Sequence, residues 1–233
     1  MRQILHFLHL GKNAGTQIKF CLAQINAFSP THEFKFHRHT VSLPDLPQNA
    51  KYIFATRDPV ERFRSGFYSR KRKGRPRTYV EWNAHEASAF ENFEDANDLA
   101  EVLYDDTLRG NAARSAMQSI NHVRQHQHSW FEAVPDFLKV RPPLHILRQE
   151  CLLDDLEQLW ELLGLLDKPE IATDRVRAHK NDYSGAKELT ELAIVNLKRW
   201  YQKDFDFIEA CDAWRTGILR PAAAGSVESF KNR

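Results

Sequence analysis

Apolar and polar positions follow two rhythms along this chain, and the two alternate. Residues 3–10, QILHFLHL, form a dense apolar run of strand length. The next segment, TQIKFCLAQINAF, places Ile18, Leu22, Ile25 and Phe28 near helical spacing and predicts an amphipathic helix. The succession repeats at KYIFATRDPVERFRSGFYSRKRKG, where Tyr52 to Thr56 is β-prone and Asp58-Pro59 opens a helix. Asp58 suits the N-cap, Pro59 the first helical position, and Glu61 completes a capping box; Asp58 and Arg62, four apart, are spaced to pair. A third unit joins LHILR, residues 144–148, to LLDDLEQLWELLGL, whose Leu152, Leu156, Leu159 and Leu163 make a helical stripe ended by Gly164. Strands alternating with helices predict the α/β class, with a central parallel sheet flanked by helices.

The middle third departs from this alternation. Residues 79–137 read as mostly helical, around DANDLAEVLYD and AARSAMQSINHV, and are expected to form a helical insertion over the sheet. KELTELAIVNLKRWYQKDFDFIEACDAW predicts one or two helices with Leu189, Leu192, Ala193, Leu197, Trp200 and Phe205 turned inward. From Thr216 the periodicity disappears. The expectation is one domain over residues 1–215 and a loose tail over 216–233.

Composition narrows the function classes. At 233 residues the chain is long enough for one sizeable core. With 42% hydrophobic and 27% charged residues it has the make-up of a water-soluble globular protein, and a net charge of +2 gives no general affinity for nucleic acid. Cys21, Cys151 and Cys211 are widely separated and in no metal-ligand spacing, which suits a reducing compartment. The first apolar run, interrupted by His6 and His9, is a poor signal peptide, and no stretch approaches a membrane span. A cytoplasmic location is expected.

The junction between the first strand and helix carries the candidate chemistry. In HLGKNAGTQ, residues 9–17, small residues allow backbone N–H groups to approach a ligand, the helix N-terminus adds partial positive charge, and Lys12 adds a full one. That is the chemistry of a phosphate or sulfate cradle. It is not a Walker A motif, because Lys12 comes early and is followed by Asn13 rather than a hydroxyl. At the second unit, Arg57 ends a strand and Ser65 lies seven residues after Asp58, about two helical turns on, so a planar guanidinium and a hydroxyl can converge on one anion.

Together the two units resemble the sulfotransferases that use 3′-phosphoadenosine 5′-phosphosulfate (PAPS), in particular their carbohydrate branch with the uronyl 2-O-sulfotransferases. FLHLGKNAGTQIK looks like the 5′-phosphosulfate loop of that family and RDPVERFRSGFY like its 3′-phosphate motif. The likeness continues into LHILRQECLLDDLEQLWELLGL and WYQKDFDFIEA and is weakest over residues 76–140. It implies a P-loop-like three-layer fold. It also implies that Lys12, Asn13, Ala14, Gly15, Thr16 and Gln17 wrap the 5′-phosphosulfate, and that Arg57 and Ser65 hold the 3′-phosphate. AHKNDYSG, around Lys180 and Asn181, resembles a family loop that closes near the nucleotide. PAPS would be the donor and 3′-phosphoadenosine 5′-phosphate (PAP) the product.

His37 and His39 stand two apart, on one face if the segment is extended. The 2-O-sulfotransferases carry a similar His-x-His before their Arg-Asp-Pro motif, which implies a general base at His39, with His37 or a carboxylate such as Glu33 as alternatives. Arg38 stands where that branch has glycine. SRKRKGRPR, residues 69–77, reads as a solvated basic run complementing a helix C-terminus, or as a patch for an anionic glycan. Arg148 and Glu150 follow a strand and either face the cleft or are solvated. His122, His126 and His128 lie in no H-E-x-x-H pattern, so no metal is expected. The expected function is sulfuryl transfer from PAPS to a hydroxyl of a saccharide, with no nucleic-acid partner. The competing classes are a P-loop kinase or NTPase, a non-catalytic nucleotide or glycan binder, and a nucleic-acid binder resting on residues 70–77.

Overall fold

The structure is a computed structural model that describes residues 1–76, 78–165, 167–171 and 187–217. Four parallel strands form its sheet in the order β2-β1-β3-β4. Strand β1 is Gln3–Phe7, β2 His32–Phe36, β3 Lys51–Thr56 and β4 His145–Arg148. In register, Gln3 lies beside His32, Leu5 beside Lys51 and Ile53 beside His145. Helices α1 (Gly15–Phe28) and α2 (Pro59–Lys71) leave the ends of β1 and β3, as the repeated strand-to-helix pattern predicts.

The sheet buries both faces. Leu5, Phe7, Ile53, Ala55 and Leu147 pack with Ile18, Leu22 and Ile25 of α1 and with Leu156, Leu159 and Leu163 around α7 (Leu152–Leu162). Tyr52, Phe54 and Ile146 turn the other way, onto Phe131, Phe137, Phe207 and Trp214; the last two lie on α9 (Gln202–Arg215). The alternation of strand side chains between faces produces both cores from the same residues. The middle third folds as α3 (Ala84–Asn92), α4 (Ala96–Glu101), α5 (Leu108–Ser119) and α6 (Phe137–Val140). A third apolar cluster joins α2 through α5 to α8 (Glu191–Trp200), with Phe63, Phe67, Phe93, Leu99, Met117 and Leu197 fully buried.

Several local expectations need correction. Asp58 does cap α2, its carboxylate accepting from the Glu61 N–H at 2.9 Å, but the capping box is not closed by Glu61. The Asp58 N–H donates instead to Glu150 Oε1 at 2.8 Å. Arg62 does not pair with Asp58; it is buried on α2 and donates to the Gly11 carbonyl at 2.9 Å. Leu192 is 56% exposed, because it falls on the outer side of α8 while Ala193 and Leu197 turn inward. The basic run is not simply solvated either: Arg70 is buried in a two-bond ion pair with Glu86, 2.7 Å at both contacts, and Lys73 pairs with Glu81. Among the described residues no helix is long and apolar enough to cross a membrane. The expected tail beyond residue 217 lies outside the described residues.

Candidate anion-binding site

The chain leaves β1 toward β2 on one side and returns through β3 on the other, so β1 and β3 are neighbours whose continuations diverge. A crevice opens at the carboxyl ends of two such strands, where α/β sheets place ligands. Gly11 to Gly15 follow β1 and Arg57 follows β3, so both sequence motifs arrive at the carboxyl ends of this strand pair.

The loop after β1 has an unusual backbone. Lys12 and Ala14 both have positive φ, 69° and 56°, while Asn13 between them does not. Alternating signs of this kind turn successive N–H groups toward a common concavity, the geometry of an anion nest. Helix α1 then starts with no side-chain cap and no acidic residue in its first turn. Its first N–H groups have no intrahelical partner, and the axis dipole adds partial positive charge there.

Three buried polar groups pin this loop to the rest of the site. Asn13 donates to the Ala55 carbonyl and to Gln127 Oε1, both at 2.6 Å. Gln127, fully buried, also accepts from the Arg57 N–H at 3.0 Å and donates to the Arg57 carbonyl at 2.7 Å. Arg62 ties Gly11 to the Gln125 carbonyl. The Arg57 side chain crosses over and donates from Nη1 to the Lys12 carbonyl at 3.1 Å. Lys12 and Arg57, from turns 45 residues apart, therefore meet in one place.

Positive charge is concentrated here, with Asp204 acting on Arg62 from outside the loop. Burial brings the Lys12 ammonium down to about pKa 7, and Arg57, Arg72 and Arg62 push it the same way. Among the described residues Lys12, Arg57 and Arg62 form no ion pair with a carboxylate, and Arg57 Nε and Arg62 Nη2 are buried donors without a hydrogen-bond partner. Buried charges are ordinarily paired. Carbonyls meet the Arg57 and Arg62 guanidiniums only in part, leaving one nitrogen of each over.

No protein-family model matches the sequence, and no curated protein matches it either.

The two histidines of the His-x-His segment go to different places. His37 lies just beyond β2, its Nε2 2.8 Å from Nδ1 of His6. His39 sits by the loop, with Nδ1 2.9 Å from the His9 carbonyl. A carbonyl only accepts, so Nδ1 carries the proton and Nε2 is left with its lone pair. Burial lowers the pKa of His39, with Lys19, Arg62 and Lys12 acting the same way against the bond to His9, so its ring is held neutral. Its ring centroid is 3.9 Å from that of His9 and 6.2 Å from that of His122. Burial depresses both of those as well, to about 2 and about 3. Glu33, the alternative base, pairs with Arg2 at 2.9 Å away at the start of β2.

Other expected site residues are placed as follows. Gly15 is small for a packing reason: a Cβ there would stand 1.8 Å from Nε2 of His9. Gln17 is buried, with Nε2 directed at Cys21 Sγ, so only its backbone faces the loop. Asn13 likewise uses its side chain to hold the site together. Thr16 is half-buried in the first turn of α1, and Ser65 is buried on α2. Lys180 lies outside the described residues. A cavity of about 240 Å³ opens at the ends of β3 and β4, lined in part by Arg57, Arg148, Glu150, Cys151 and Asp212. Arg148 there is held by Asp155 through two bonds, at 3.1 and 3.0 Å.

Gln127 and Arg62 are the residues that sequence reasoning missed. Gln127 lies amid histidines that drew attention to themselves, and a neutral amide leaves no charge pattern. Arg62 had a nearer partner four residues away in sequence.

Proposed function

We propose that the protein transfers a sulfuryl group from PAPS to a hydroxyl of a carbohydrate acceptor. The observation that carries this reading is the meeting of Lys12 and Arg57 in a half-buried cationic site where, among the described residues, neither forms an ion pair with a carboxylate. The likeness of the two flanking motifs to PAPS-dependent enzymes selects the donor among polyanions. The residues fit it: a P-loop-like nest and an uncapped helix terminus suit the 5′-phosphosulfate, and Arg57 with Ser65 of α2 suits the 3′-phosphate. The cavity beside Arg57 gives the nucleoside room.

In this mechanism His39 Nε2 accepts the proton of the acceptor hydroxyl as that oxygen bonds to sulfur. The sulfur–oxygen bond to the departing phosphate breaks in line, and the electron pair stays on the phosphate oxygen. Lys12 and the loop N–H groups stand ready for the charge that develops there, where preorganised donors are most effective. His9 holds His39 in the tautomer that this step requires. A kinase or NTPase built on the same crevice would need a carboxylate near Lys12 to hold Mg²⁺, and the charges that act on Lys12 are cationic.

Calorimetry with PAP against ADP tests the donor assignment. PAP is expected to bind at least about tenfold more tightly, a difference of ~1.4 kcal/mol, and Arg57→Ala should remove that preference. Equal affinities for the two nucleotides would end the reading. His39→Ala should lose ~10²- to 10⁴-fold in turnover while keeping PAP affinity. A non-catalytic binder would show no turnover to lose.

A further inference from the structure

The turn that carries Gln127 is flanked by two histidines, and both reach the same carboxylate on α9. His128 Nδ1 is 2.8 Å from Asp204 Oδ1, which also accepts the His128 N–H at 3.0 Å. His126 Nδ1 faces Asp204 Oδ2 at 3.8 Å, too long for a hydrogen bond. Both of those atoms are buried and have no hydrogen-bond partner. Asp204 itself is fully buried, while the two imidazoles keep side-chain exposures of 29% and 21%. The three candidate ligand atoms lie within 4.8 Å of one another.

We propose that His126, His128 and Asp204 form a binding site for a divalent transition-metal ion of the zinc type. Zinc bonds to imidazole nitrogen and carboxylate oxygen at ~2.0–2.2 Å, so atoms sharing one ion stand a little over 3 Å apart. The 3.8 Å separation of the two unpartnered atoms needs only a small contraction. The hydrogen-bonded pair needs a small expansion as His128 Nδ1 exchanges its proton for the metal. Burial lowers the His126 pKa, although Asp204 acts the other way. The positive charges of Arg62 and Lys203 act on His126 as well and set a limit on affinity.

The site has a consequence for the crevice. An ion bound on both sides of Gln127 would fix the turn whose amide joins Asn13 to Arg57. In this assignment the ion's role is to hold that turn, and none of its three ligands is a residue assigned to the reaction. It holds whether or not PAPS is the donor.

The full chain, stripped with a chelator, should bind one equivalent of Zn²⁺ with a dissociation constant below ~1 μM. Co²⁺ should give the visible absorption bands of a low-coordinate nitrogen–oxygen site. Removing a direct ligand is expected to cost at least the ~10–100-fold that outer partners cost, so His126→Ala and His128→Ala should each weaken Zn²⁺ that far, and His85→Ala should not. Zn²⁺ should raise the melting temperature of the parent protein and not that of His126→Ala, which keeps the buried Asp204–His128 pair and is expected to fold. Absence of stoichiometric binding, or millimolar binding unchanged in both folded variants, would overturn the assignment.

Discussion

Helices α1 and α2 begin side by side, each directly after a strand of the same sheet, and their first turns are built in opposite ways. Helix α2 completes itself: Asp58 accepts from the Glu61 N–H, Pro59 removes a donor, and Glu61 brings negative charge to the positive end of the axis. Helix α1 has none of these, and in front of it stands a half-buried lysine with left-handed backbone. Two helix termini at one sheet edge share their electrostatics, so the difference shows what each is for. The first is a structural joint. The α1 terminus leaves its own N–H groups uncapped, which is what the proposed anion site requires.

Removing Lys12 attacks that difference most directly. Lys12→Met should lower turnover by ~10²- to 10³-fold, the usual effect of losing one donor to a developing anion. Stability should not suffer, because burial works against the ammonium. The parent protein adds a pH signature. Lys12 in the free protein titrates near 7, and a bound dianion raises that value. Binding at pH 8 therefore takes up close to one proton, and PAP affinity declines as pH rises above 7. Calorimetry in buffers of different ionisation enthalpy reads the uptake, and the Lys12→Met variant should lack it.

Giving α1 the acid it lacks should blur the contrast. Thr16→Glu places a carboxylate in the first turn, which is expected to stabilise the free protein by ~0.3–1 kcal/mol. The same change should weaken PAP by at least about tenfold through like-charge repulsion. If thermal melting and PAP titration moved in the same direction, the uncapped terminus would not be an anion site. The smallest effect belongs to the other helix. Asp58→Ala should cost about 1 kcal/mol of stability, read from denaturant unfolding, and leave PAP affinity within about twofold.

The parallel sheet was legible because three of its strands are apolar runs that feed periodic helices. Strand β2 was not: HEFKF is five residues long with three polar positions, and it pairs only along β1. Lys12 and Arg57 could be named from their places after strands. Their meeting could not, since the two turns are joined through Gln127, 70 residues beyond Arg57, which bonds Asn13 and the Arg57 backbone. The Glu61 and Arg62 expectations failed for a related reason. Both rested on spacing along one helix, and the actual partners, Glu150 for the Asp58 N–H and Gly11 for Arg62, come from other strands' loops. The histidine grouping with Asp204 was equally hidden, because the carboxylate lies 76 residues past His128.

The imidazole at position 9 rests where residue 15 would otherwise carry a side chain. These two positions share a single allotment of space, although six residues separate them. Any drift of the chain toward a bulkier residue at 15 must first shrink residue 9, and with it the carbonyl-bearing turn that orients His39 would have to resettle. Glycine there is thus held in place by the histidine behind it, and the two would be expected to change together or not at all.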